Sequence, residues 1–305
     1  MNKIKKKKGL DMEQTNLLES VLKDKSLKEI STVKLPDTQN TRDRREIPVD
    51  KVGVKDLKYP IAVKDKENEI QHTIATISMT VDLPMEFKGT HMSRFVEILQ
   101  NERREMHVDS MYKILKQMQH KLHSKSAHLE MEFPYFREKK APVTGKPSLM
   151  DYKVKFHAVI NEDKKDFIMT VMVPVTTLCP CSKNISKHGA HNQRGEVTVS
   201  LRFMDVVWIE DIIGIIEESA SCDLYSLLKR EDEKFVTERA YENPVFVEDL
   251  VRNIVIKLRE KGNILWYTVE AENFESIHNH NAYAMIESHE SFSNGHAKDF
   301  IIKRY

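Results

Sequence analysis

From Ala75 to Leu83 every second residue is apolar, through Ile77, Met79 and Val81. Successive side chains of a strand point to opposite faces, so this alternation predicts a half-buried strand. A shorter strand is predicted just before it, at residues 59–63. The apolar spacing then changes to three and four at Met111, Ile114, Leu115, Met118 and Leu122, which predicts an amphipathic helix with Asp109 as its N-cap. A shorter helix is predicted at 92–99. Alternation returns at Ala127, Leu129, Met131 and Phe133, followed by a polar turn with Pro142, Gly145 and Pro147 and a strand over 152–160.

The second half repeats this order. Phe167, Met169, Val171, Val173 and Val175 predict one strand, and Val197, Val199, Leu201 and Phe203 another. Helices are predicted over about 208–228 and 244–260, the latter with Asn243 as N-cap and Pro244 in the first helical position. Strands over 264–271 and 282–287 close the pattern. The reading is α+β: two tandem ββααββ units, each with antiparallel strands and its helices on one face. The units are placed at 47–161 and 162–290, between a polar, partly disordered extension over 1–46 and a tail over 291–305. Within that extension only Leu17, Leu18, Val21 and Leu22 suggest an amphipathic stretch.

The chain has 305 residues, enough for two modules of ordinary size. With 40% hydrophobic and 31% charged residues it reads as a soluble protein, and no apolar run approaches the roughly 20 residues that span a bilayer. Asp11, Glu13 and Glu19 interrupt the segment after the basic run Lys3 to Lys8, so that run is a solvated tail and not a signal peptide, and a cytoplasmic location is expected. The 48 lysines and arginines nearly cancel the 47 aspartates and glutamates. No global field recruits nucleic acid, and any anion site must be local. Two of the three cysteines, Cys179 and Cys181, flank one proline, where an unstrained disulfide is hard to close; reduced thiols are expected.

Three polar segments are candidates for chemistry. Residues 176–194 read TTLCPCSKNISKHGAHNQR, with two thiols and two histidines between 179 and 191. Zinc favours thiolate and imidazole ligands, and catalytic sites keep one position open for water. Cys179 and His191 could supply two ligands, or the segment could be a structural loop with a buried thiol; Cys181 is either a spare thiol or the true ligand. His188 and Lys187 read as surface groups, and Cys222 as a small core residue. The charge run Lys229 to Arg239 reads as a long connection leading into Glu248. Glu248 either faces inward, where its carboxylate could accept the ring N–H and amine of a guanine edge, or pairs with its own helix N-terminus. Finally, His278 and His280 alternate in ESIHNHN, so they share one face of an extended segment and could transfer protons, or else decorate an exposed hairpin tip.

The words CPCSKNIS, GAHNQRGEV, LLKREDEKFVTERAYENPVFVEDLVR and ESIHNHNAYA, with GTHMSRFVEIL in the first half, closely resemble the prokaryotic type IB GTP cyclohydrolase I family over about residues 45–288. The resemblance implies a tunnelling fold and a homotetramer with active sites at subunit interfaces. It implies one divalent metal on Cys179, His191 and Glu233, with zinc, manganese and iron all compatible with that donor set. It further implies Cys179, His278 and His280 as catalytic residues, GTP as substrate and Glu248 as the purine anchor. Lys183 and Arg194 are the first candidates for the triphosphate, ahead of Lys229, Arg230 and Arg239. Two other readings of this fold compete: a deazaguanine nitrile reductase with a cysteine nucleophile, against which the metal-ligand set argues, and a non-catalytic metal or nucleotide sensor, in which the histidine pair and the anchoring carboxylate would be surplus.

Overall fold

The computed structural model describes residues 36–101 and 108–288. Among these, β1 (Val49–Asp65) and β2 (Glu69–Leu83) form a long hairpin, followed by α1 (Met92–Asn101) and α2 (Val108–Leu122). Next come β3 (Ser126–Lys140), β4 (Pro147–Asn161), β5 (Lys164–Leu178), the one-turn α3 (Pro180–Ile185) and β6 (Asn192–Phe203). The chain continues through α4 (Ile209–Glu217), β7 (Cys222–Asp223), α5 (Arg230–Glu242), α6 (Val247–Glu260), β8 (Ile264–Asn273) and β9 (Ala282–Glu287). The strands make one antiparallel sheet in the order β1-β2-β3-β4-β5-β6-β8-β9, with β7 beside β5. The α+β class and the two successive ββ–helices–ββ passes expected from the sequence are therefore present.

The alternation explains which face the helices cover. Ile77, Met79, Leu129, Met131, Val154, Val171, Val173, Val197 and Val199 are all fully buried and pack with Phe95, Ile114, Ile212, Leu250 and Ile254 of the helices. Polar bonds also join the two passes: Tyr135 and Tyr152 donate to Glu210 and Glu217 of α4 at 2.7 and 2.8 Å, and Lys139 bridges Glu217 and Asp223 at 2.7 and 2.9 Å. The buried Glu217 has both the Lys139 ammonium and the Tyr152 hydroxyl on Oε1, and the buried Glu210 takes Tyr135 and Lys66 N on Oε1.

Four sequence expectations are corrected. The first strand begins at Val49, not near 59, because register shifts between Val49 and Val52 and between Val54 and Leu57 break the alternation that marks a strand. The predicted 208–228 helix ends at Glu217, and Cys222 sits on β7 opposite Thr176. Burial pushes the Cys222 thiol up to about 11, as suits an inert core residue. The charge run is itself a helix, α5, and Asn243 caps its C-terminus instead of opening the next helix, which starts at Val247. Asp109 lies in the first turn of α2, not before it.

Residues 37–43, within the expected extension, lie along the loop before α1: Gly89 N donates to Gln39 O at 3.1 Å, Lys88 N to Thr41 O at 3.0 Å, and Arg42 bridges Phe87. The amphipathic residues 17–22, the lysine run and the tail after 290 are outside the described residues.

On the sheet face opposite the helices, His128 and His157 stack with ring centroids 6.2 Å apart. Burial, with help from Lys51 and from His157, lowers the His128 imidazole to about 4 from an ordinary 6.5, and burial lowers His157 too. A histidine neutral in the folded chain and protonated in the unfolded one favours unfolding between those two pKa values. Stability is therefore expected to be level above pH 6.5 with respect to this group and to fall as the pH drops toward about 4. Denaturant titrations across that window should show the slope, and His128→Gln should flatten part of it; an unchanged slope in the variant would contradict the assignment.

Candidate active site

The loop after β5 closes on itself at the end of the β5–β6 pair. In that pair Leu178 lies opposite Asn192, so the next residues outward, Cys179 and His191, meet although twelve positions apart. Cys179 N donates to His191 O at 3.1 Å. Ser182 fixes both, its hydroxyl donating to Cys179 O at 3.1 Å and accepting from His191 N at 3.2 Å. Pro180, at the first position of α3, suits a turn whose leading N–H groups have no helical partner. The sulfur of Cys179 accepts Ser182 N at 3.4 Å as the cap of that turn. Cys179 is half-buried and Cys181 exposed, and all three cysteines are free thiols.

The His191 side chain is only 12% exposed. Its Nδ1 is 2.9 Å from Gln193 Oε1 and 3.7 Å from Glu275 Oε2. Which ring nitrogen carries the proton depends on the end of the Gln193 amide that faces it. A thiol and an imidazole on residues whose backbones meet are donor types that suit a soft divalent cation. Neither Gln193 nor Glu275 was found from the sequence as a site residue.

The other candidates surround this pair at different depths. Val245 N donates to Leu178 O at 3.1 Å, which brings the start of α6, and Glu248 in its first turn, to the end of the strand that leads into Cys179. Glu248 is exposed in the single chain, in the first turn of its helix, so of the two orientations open from the sequence the inward one is absent here. Lys183 is already engaged: its ammonium donates to Tyr241 O and lies 4.4 Å from the Tyr241 ring centroid, tying α3 to the end of α5. Arg194 is exposed, opposite Thr176, and has no side-chain partner among the described residues. Of the weaker phosphate candidates, Lys229 precedes α5, Arg230 opens it and Arg239 lies in its last turn.

Glu233 lies on the exposed side of α5. Among the described residues no three His, Cys, Asp or Glu side chains converge as a ready ligand group, so Glu233 is not brought to Cys179 and His191 in this arrangement. Its neighbour Asp232 is fully buried and accepts from Val143 N, Thr144 N, Thr144 Oγ1 and Lys229 N at 2.7–2.9 Å. Burial alone would raise this carboxyl; the hydrogen bonds, chiefly from Thr144, hold it well below the usual carboxylate range. Asp232→Ala should strand those donors and lower the thermal midpoint by about 5 °C. A calorimetric scan that matches the wild type would show that the β3–β4 turn does not depend on this carboxylate.

His278 and His280 occupy the exposed connection between β8 and β9, their rings stacked 5.0 Å apart at 20°. The connection leaves β8 beside the thiol–imidazole pair: Phe274 N donates to Arg194 O at 2.9 Å, and Glu275 follows against His191. Asn281 closes its far end by donating to Glu272 at 2.6 Å.

The backbones of Cys179 and His191 are held together at the end of the β5–β6 pair, with Glu275, His278 and His280 on the adjoining connection of an α+β scaffold. Residues 35–284 match the family described as Type I GTP cyclohydrolase folE2, and the chain belongs to that family. The GTP cyclohydrolase FolE2 of Geobacter sp. (strain M21) is 60% identical over 253 residues, which cover 83% of this chain and 94% of that protein. The GTP cyclohydrolase FolE2 of Methylobacillus flagellatus is 57% identical over 253 residues, with 83% and 95% covered. Among solved structures, a uricase from Arthrobacter globiformis aligns with a TM-score of 0.45 at 6% identity, over 80% of this chain and 96% of that one. No helix among the described residues is long and apolar enough to cross a membrane.

Proposed function

We propose that this chain is a GTP cyclohydrolase I that opens the imidazole ring of GTP by hydrolysis, releases the ring carbon as formate and yields 7,8-dihydroneopterin triphosphate, the entry to tetrahydrofolate and pterin synthesis. Beyond family membership, the observation that carries this reading is the clamped pair Cys179–His191, with its backbone contact at 3.1 Å. Cys179, His191 and Glu233 would hold one divalent ion, with zinc, manganese and iron all suited to such a shell. A bound ion of this kind supplies Lewis acidity and brings the pKa of water toward about 7. Glu233 would join from α5, the helix that Lys183 ties to the Cys179 turn.

The remaining roles fall to side chains of the chain itself. The carboxylate of Glu248 accepts the guanine ring N–H and exocyclic amine, a two-point contact that adenine cannot make. Arg194, uncommitted among the described residues, meets the triphosphate, joined by Lys183 once it leaves Tyr241. Ring opening, formate loss and re-closure each move protons, and the stacked His278 and His280 can both give and take them. The exposure of Glu248, His278 and His280 in one chain supports a site completed by a second copy, within a homotetramer.

The proposal is tested by supplying GTP to the metal-reconstituted protein and following formate and pterin fluorescence; GTP recovered intact would refute it. Glu248→Gln replaces one of two acceptors by a donor. GTP should then bind about 10- to 100-fold more weakly, with metal content unchanged. An unaltered GTP affinity would assign the carboxylate to helix capping instead.

A further inference from the structure

On β6, two residues past His191, Gln193 is 8% exposed and spans the gap to β5. It lies directly opposite Thr177, which is fully buried. Its Nε2 lies 2.9 Å from Thr177 Oγ1 and its Oε1 faces His191 Nδ1, also at 2.9 Å. A hydroxyl can pair with either end of an amide, so it is the acceptor-only carboxylate of Glu275 beside the same nitrogen that favours a proton on Nδ1 and hence this amide orientation. A neutral imidazole has one N–H and one lone pair, and an acceptor facing one nitrogen draws the proton there. Glu275 Oε2, at 3.7 Å, is a second acceptor near the same nitrogen. The opposite amide orientation would present an N–H to Nδ1 and drive the proton to Nε2, leaving no lone pair there for a cation.

We infer that Gln193, held between Thr177 and the imidazole, is a positioning residue that with Glu275 selects the Nδ1–H tautomer of His191 and so makes Nε2 the metal-binding nitrogen. The metal half of this statement rests on the proposed ligand role of His191; the tautomer half does not. Acceptors of this kind typically contribute about 10- to 100-fold in metal affinity. A side chain that only filled space between β5 and β6 would affect stability without changing where the imidazole proton resides.

The test compares wild type, Gln193→Met, Gln193→Glu, Thr177→Val and His191→Ala. Methionine nearly matches glutamine in shape but offers no comparable acceptor, whereas glutamate retains one. Histidine ring nitrogen NMR on the metal-free proteins reads the tautomer, and zinc affinity is read by competition with a chromophoric chelator. Wild type and Gln193→Glu should hold the proton on Nδ1. Gln193→Met should shift it toward Nε2 and weaken zinc about 10- to 100-fold, and Thr177→Val should shift it partway. An unchanged Nδ1–H population in both Gln193→Met and Thr177→Val would overturn the inference, and the second variant decides the matter should the first fail to fold. If His191→Ala retains zinc at wild-type affinity, the ligand role of His191 fails while the nitrogen spectra still decide the tautomer.

Discussion

Cys179→Ala is expected to abolish turnover, by roughly 1,000-fold or more, and to strip the protein of most of its metal. The thiol is the softest donor of the proposed shell and the cap of the turn that holds it, through Ser182 N at 3.4 Å. Removing it takes away one of the two donors that the fold clamps together. Serine caps such turns well, so Cys179→Ser should preserve the loop and still lose metal; the pair of variants separates ligation from folding. Metal analysis and GTP turnover on the same preparations provide the check. Full occupancy in Cys179→Ala would pass the ligand role to Cys181, which is exposed on the same turn.

The second large effect is expected at His278 and His280. Neither is required by the three-ligand shell, and both sit on the connection that Phe274 anchors to β6 at 2.9 Å. Alanine at either position should leave metal bound while turnover falls by about 100- to 10,000-fold, the range associated with general acid–base groups. The two variants need not stop at one stage, since proton delivery to the ring and later proton shuttling are separate events. Quenched reactions analysed for ring-opened nucleotide should distinguish them. Loss of metal in His278→Ala would make that residue a ligand, or a support for one, and would undo the division of labour between the metal shell and the histidine pair.

The α+β architecture was legible wherever one face of a strand is sealed by helices, because burial then enforces strict alternation, as in β2, β3, β5 and β6. It failed where another force shapes the chain. Bulges erase the period at the start of β1. In α5 only Asp232 and Ala240 are buried, so there was no apolar stripe to read. That helix instead follows charge: Glu231, Asp232 and Glu233 lie in its first turn, Arg239 in its last, and Lys234 pairs with Glu238 at 2.9 Å. The apolar run after Trp208 hid the change from α4 to β7 because nothing in it breaks a helix as proline would.

The site shows the same division. Cys179 and His191 were legible as a pair because antiparallel strands flank their loop and must bring its ends together. Gln193 and Glu275 were not, since their part depends on which strand lies opposite and on a connection arriving from β8. For Glu248, just after Phe246 and Val247, the sequence left an inward and a helix-terminus orientation open; the helix starts at Val247 and leaves its side chain exposed.

Stepwise return of metal to stripped protein, with formate release from GTP measured at each addition, tests the central claim most directly. Activity should be absent without metal, rise in proportion to metal added and level off at one equivalent per chain, with His191→Ala failing to respond. Formate release by the stripped protein at the full rate, or an undiminished response in His191→Ala, would contradict a metal-dependent ring opening at the Cys179–His191 pair.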